Sequence, residues 1–212
     1  MNVERVRRLA AVSGVAGPVA LLVYFTAPAA AGWPYSGAAP DALVTYARSH
    51  ESLFYAGAWL QTMGTLLSLI LFLALVQLAG AAARLSGLVV IAASSALFGL
   101  VLVEGALLVA VPIAAASGDA GTVATTFALS NGAFLRVFPV VSAACYAGLG
   151  ATIRDARVLS RRFGSAAWTL AAAFALAGAV AVVSPIGLII TVVLSAAQAL
   201  WIVAAAVALW RV

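Results

Sequence analysis

Lysine is absent from these 212 residues, cysteine and histidine occur once each, and only 8% of positions carry a charge. Each shortage removes a class of chemistry. Without lysine a retinal Schiff base is impossible. The single cysteine, Cys145, has no partner for an intramolecular disulfide, and its apolar surroundings make it a buried, inert thiol. One histidine, His50, leaves no pair for haem and no cysteine–histidine set for zinc, so neither a metal nor a cofactor is expected. A Walker-type phosphate loop and a Gly-x-Ser-x-Gly elbow are also missing. All eleven basic residues are arginine, against six acids. They are dispersed through short connections rather than gathered in a patch, which argues against a nucleic-acid partner.

What is abundant is apolar surface. Two thirds of the chain (66%) is hydrophobic, more than a water-facing domain of this size can carry. Six apolar runs cover residues 9–29, 53–79, 85–113, 128–150, 165–184 and 187–210. Each is about 20 residues or longer, enough to cross a hydrocarbon core of about 30 Å. The expected fold class is an all-α, polytopic transmembrane bundle of six helices forming one membrane domain over residues 1–212. The first run ends in TAPAAAG, which resembles a signal-peptidase site. Its length keeps it in the set as a transmembrane helix.

Arginine placement predicts the topology. Arg5, Arg7, Arg8, Arg84, Arg154, Arg157, Arg161, Arg162 and Arg211 fall in connections on one side, and Arg48 falls on the other. The positive-inside bias then puts both termini in the cytoplasm of a bacterial cell with the chain multi-pass in its membrane. The longest connection, 30–52, lies on the outer side. Trp33, Pro34 and Tyr35 suit an interfacial turn there. Pro40–Asp41 reads as a helix start, with Leu43, Tyr46 and Ala47 at helical spacing for a short interfacial helix. The turn SPIG, 184–187, makes the last two helices a tight hairpin. Ser13 and Gly17 in the first helix, and Gly57, Gln61, Gly64, Thr65 and Ser68 in the second, form small-residue stripes suited to close packing.

In GLVLVEGALLVAVPIA, residues 99–114, Glu104 is the one charge. By helical rise it lies on the order of 13 Å below the outer end of its helix, and Arg136 on the next helix lies about 12 Å below the same surface. A lone charge at the helix centre costs about 2.5–3.5 kcal/mol on insertion scales, so a Glu104–Arg136 ion pair is expected. Pro139 frees a backbone carbonyl beside that arginine. Gln61 and Asn131 reach similar depth, while Trp59 and Phe138 lie deeper than an interfacial aromatic belt. Together they suggest an apolar pocket with few polar groups. His50, beside Glu51 at the mouth of the second span, reads as a surface histidine or, more sharply, as a proton-transfer group.

On this reading Glu104 and Arg136 are catalytic candidates, and Gln61, Trp59, Asn131, Phe138 and His50 are substrate-binding candidates. The expected ligand is a lipophilic small molecule, with membrane lipids around the bundle and a homo-oligomer open to the chain. If it is an enzyme, carboxylate acid–base chemistry suits cyclisation or isomerisation of an isoprenoid-like, terpenoid substrate. The alternative is a non-catalytic protein that binds lipid or assembles with a membrane partner. A transporter stands third, because the inner half offers few polar residues beyond Ser94, Ser95 and Gln77.

Two stretches carry a resemblance. PDALVTYARSHESLFYAGAWLQTMGTLLSLILFLAL, 40–75, and NGAFLRVFPVVSAACYAGLGATIRDARVLSRRFG, 131–164, resemble a family of six-helix actinobacterial integral-membrane proteins known as a domain of unknown function. The resemblance rests on an acid, a Tyr and a His before the second helix, and on an FP pair in the fourth followed by a basic loop. It departs from that pattern at Ser160–Arg161–Arg162–Phe163, where relatives have a Pro–Arg–Trp step. It implies a fold and no activity.

Overall fold

The computed structural model describes residues 3–34, 37–184 and 186–211. Tyr35 of the expected interfacial turn and Pro185 of the SPIG turn lie outside the described residues. Every regular element is helical: α1 (Val3–Ala30), α2 (Pro40–Ser49), α3 (Glu51–Leu78), α4 (Leu85–Ser117), α5 (Ala120–Ala128), α6 (Phe134–Ala156), α7 (Arg161–Val183) and α8 (Ile186–Trp210). A π-helical turn, Leu129–Ala133, joins α5 to α6. Six helical stretches are long and apolar enough to cross a membrane, the fourth being the continuous run Ala120–Ala156. The chain is therefore an all-helical bundle of the multi-pass kind.

The spanning helices pack as a closed ring in the order α1, α3, α4, α6, α7, α8 and back to α1. Helical spacing on α3 shows which way the ring faces. Gly57, Gly64 and Ser68 meet α1, while Ala58 and Thr62 meet Gly105 of α4. Between these two seams, at 100° per residue, lie Phe54, Gln61, Thr65 and Phe72, which point into the ring. Trp59, Leu66 and Leu73 are on the opposite, exposed face.

Toward the arginine-rich end the interior is filled by Leu71, Phe72, Leu75, Tyr146, Leu149, Phe174, Trp201 and Ile202. Edge-to-face contacts tie Phe72, Tyr146 and Trp201 together at ring-centroid distances of 5.3–6.2 Å. Cys145 belongs to this cluster and is fully buried.

The other end is closed by α2 and α5. Leu43 and Ala47 on one face of α2 pack with Phe54, Leu108, Val111, Ala115, Val123 and Phe127. Arg48 donates from Nε to the carbonyl of Ala115 at 2.7 Å. This satisfies a terminal carbonyl of α4 and places a cation at the negative end of that helix. Gly118 follows with φ +79, the left-handed turn that ends α4. Asp119 then caps α5 by accepting from the Thr122 backbone N–H at 3.0 Å. Its bonds from the Thr122 hydroxyl and backbone hold its carboxyl below the usual range.

The seam between α1 and α3 is the tightest feature that bears on the site. A Cβ on Gly17 would lie 2.7 Å from the carbonyl oxygen of Gly64 and from the backbone nitrogen of Ser68. Backbone cannot yield as a side chain can, so Gly17→Ala should push α1 away and lower stability by about 1–3 kcal/mol. Gly99→Ala, where nothing lies within 4 Å, should leave stability unchanged or slightly higher. Thermal unfolding in detergent reads both, and a Gly17→Ala protein as stable as the wild type would contradict this seam.

Candidate functional site

Glu104 lies inside the ring with 5% of its surface exposed, and the groups that meet it come from two other helices. Gln61 of α3, itself 3% exposed, donates from its amide nitrogen to one carboxyl oxygen of Glu104. Tyr24 of α1 donates from its hydroxyl to the other at 3.4 Å. The ring of Tyr24 reaches the carboxyl by lying across Gly57, whose missing side chain leaves room for it. Helices α1 and α4 flank α3 without packing on each other, so the Tyr24–Glu104 bond is what ties α1 to α4 at this level, while the Gln61–Glu104 bond ties α3 to α4.

The partner expected from sequence is elsewhere. Arg136 is exposed, and its guanidinium donates to the carbonyl of Gly132, in the π-helical turn just before its own helix, at 3.2 Å. The one ion pair among the described residues is Arg8–Glu4 on the surface of α1. Equal depth below a surface therefore did not bring the two charges together. Depth follows from rise alone, whereas contact also needs both side chains on facing sides of their helices. The backbone irregularity is also displaced. Helix α6 runs through Pro139 without a break, and the irregular turn is the π-helical Leu129–Ala133 before it.

The other candidates divide. Gln61 is at the centre of the site. Asn131, in the π-helical turn, accepts at 3.0 Å from the indole N–H of Trp33 and donates to the carbonyl of Phe127 at 2.9 Å. Trp33 stacks on Phe127 and packs on Phe54 and Tyr46, which closes the end of the bundle above Glu104. Trp59 is 63% exposed on the outward face of α3, so it does not line the interior. Phe138 packs with Phe134 and Phe174 in the wall between α6 and α7. His50 stacks on Tyr46 at the junction of α2 and α3. Its ring nitrogen bonds with Ser49 and with the Tyr46 carbonyl, and not with Glu104.

Tyr24 is the site residue that the sequence reading overlooked as a partner for Glu104. A signal was present: Tyr24 follows Gly17 by seven residues, two helical turns along the same close-packed face.

Several buried polar atoms near this axis have no hydrogen-bond partner among the described residues. They include the side-chain carbonyl of Gln61 and, deeper in the ring, the hydroxyls of Ser142 and Tyr146 and the side-chain carbonyl of Gln198. Ser142 and Tyr146 are one turn apart on α6. Native interiors leave few such groups unpaired, and those that remain commonly mark bound water or a ligand.

Comparison with known proteins finds no matching family model, no similar curated protein and no similar solved structure.

If Glu104, Gln61 and Tyr24 form one interhelical group, their mutational effects on stability should be coupled. A Glu104→Ala, Gln61→Ala double-mutant cycle should give a coupling of about 0.6–1.7 kcal/mol, the range for such bonds in membrane bundles. The corresponding Glu104–Arg136 cycle should give none. A coupling confined to the second cycle would replace this arrangement with the ion pair.

Proposed function

We propose that the chain is a multi-pass bacterial cell-membrane protein that binds a lipophilic molecule inside its helical ring, with Glu104 meeting the polar or reactive part of that molecule. One observation carries the reading. A carboxyl group is held in the bundle interior by neutral donors from two other helices, and the amide that holds it keeps an unpartnered oxygen. Intramembrane ionisable residues of this kind mark ligand or proton sites by default. The surroundings suit a mostly apolar ligand, since Phe54 and Leu108 lie about two turns and one turn toward the cap from Gln61 and Glu104.

The chemistry open to this group is proton transfer. A carboxylic acid can add a proton to one carbon of an alkene, and the carboxylate left behind can remove a proton from a neighbouring carbon. The sum is an isomerised alkene and a regenerated acid, with no cofactor. An isoprenoid-like substrate fits that sequence, and an intervening cyclisation would fit it equally. Tyr24 and Gln61 would hold the carboxyl in place as it changes charge.

A second reading has its own support. Neither the apolar groove between α1 and α8, about 470 Å³, nor the cavity at the arginine-rich end is lined by Glu104. On that reading the triad fastens three helices and the protein is a non-catalytic membrane component. Mass spectrometry of molecules that co-purify with wild type and with Glu104→Gln, beside their melting temperatures, separates the two. A lipophilic compound kept by the wild type and lost from an equally stable variant supports the ligand site. Empty wild-type protein with a less stable variant supports the fastening role.

We also propose that the arginine-rich end, with both termini, is cytoplasmic. Buried Cys145 should be silent to a membrane-impermeant maleimide. Ala39→Cys, at the capped end, should therefore be labelled on intact cells, and Ser160→Cys only after lysis. Labelling of Ser160→Cys on intact cells would reverse the orientation.

A further inference from the structure

At the arginine-rich end, the first turns of α1, the end of α3 and the residues that follow α6 enclose a cavity of about 410 Å³. Its polar lining is Arg7, Gln77 and Arg157, its apolar lining includes Val3, Val6 and Leu78, and none of the residues lining it is acidic. The Nε of Arg7 is buried and has no hydrogen-bond partner among the described residues. A guanidinium nitrogen withdrawn from water in this way calls for an acceptor. Arg157 adds a second peculiarity. It has φ +55, and it alone among the described non-glycine residues has positive φ. It occupies the turn that ends α6, where glycine is the unstrained choice. A guanidinium therefore stands where a smaller residue would fold more easily.

We propose that this cavity binds a phosphate group, carried by an anionic phospholipid or free in solution. Arg7 and Arg157 supply the charge, with planar donors that match phosphate oxygens, and the Gln77 amide supplies a neutral donor. The helix ends do not cancel this. Helices α3 and α6 end here with about half a negative charge each, but α1 begins here with the positive end of its dipole, and two guanidiniums outweigh the balance. The volume exceeds that of a phosphate ion. The apolar wall formed by Val3, Val6 and Leu78 leaves room for the glycerol and first methylenes of a lipid. Basic pockets between spans at a membrane face are a recurrent way of holding such headgroups.

The test uses the full chain in nanodiscs made from equal parts phosphatidylglycerol and phosphatidylcholine, with native mass spectrometry counting the lipids retained. Wild type should retain phosphatidylglycerol over phosphatidylcholine. Arg7→Gln and Arg157→Gly should each lower that preference by about five-fold, roughly what one guanidinium near the surface contributes to holding an anionic lipid. Arg84→Gln removes a charge at the same end but outside the cavity, and should retain the preference. Arg157→Gly relieves the left-handed turn and so should fold at least as well as wild type, which keeps the test valid should Arg7→Gln misfold. In detergent, inorganic phosphate should raise the melting temperature of wild type more than that of Arg157→Gly. A phosphate effect without lipid selection would identify free phosphate as the ligand. Equal lipid retention and equal phosphate response in wild type and Arg157→Gly would overturn the proposal.

Discussion

At Gly17 the backbone of α1 comes so near to Gly64 and Ser68 of α3 that no side chain fits between them, and this approach governs the geometry of the site. In lipid, apolar burial gives helices little reason to associate, so contact depends on close packing and on hydrogen bonds. Gly17 and Gly64 supply the packing. Two turns further along the same face, Tyr24 lies on Gly57 and extends past α3 to Glu104. A larger residue at Gly17 or Gly64 would move α1 outward and take the tyrosine hydroxyl from the carboxyl. The small-residue stripe and the buried polar group are parts of one arrangement.

The two ends of the ring are built differently. Toward the arginine-rich end, large apolar and aromatic side chains fill the interior, with the hydroxyls of Ser142, Tyr146 and Thr152 and the amide of Gln198 among them. Toward the other end the ring is covered by short elements, α2 and α5, and by Trp33. Trp33 lies over Phe54 and Phe127 and is fixed through its indole N–H to Asn131. The asparagine sits in the π-helical turn, where one extra residue per turn changes the direction of the following side chains. Such turns are frequent at functional sites, and this one sets both the indole of Trp33 and the start of α6. Glu104 thus lies between a packed floor and a cap in which the indole–amide bond positions Trp33.

Much of the fold was legible because membrane spans announce themselves by length and apolarity alone. Six runs gave six spanning helices, which mostly begin or end a few residues beyond the apolar stretch, as at Val3 and Ser117, because a helix continues into polar sequence. The site was legible in part. Glu104 stood out as a charge in an apolar helix, and Gln61 as an amide on a stripe of small residues. Its partner was misread as Arg136 because two depths can be computed from one sequence, whereas the facing of two helices cannot. Trp59 was misread for the same reason: its depth is right for an interior residue, but it lies about 160° round the helix from Gln61. Tyr24 was concealed by its own plausibility as an interfacial aromatic. Its spacing from Gly17 and the bare surface of Gly57 together reveal that it turns inward.

The identity of the partners changes what Glu104 can do. A carboxylate paired with arginine in lipid is held in its charged form, since protonation would strand a guanidinium without its counter-charge. A carboxyl group held by an amide and a phenol carries no such obligation. Both donors are neutral, so a proton can arrive or leave without creating a second unpaired charge. The phenol can turn its hydroxyl to accept when the carboxyl becomes a donor. The unpartnered oxygen of Gln61 offers a further acceptor within the same group. Of the two arrangements, the neutral one is suited to proton exchange with a bound molecule, and the ionic one to fixing helix register. The loss of the expected ion pair therefore strengthens the case that Glu104 handles a ligand.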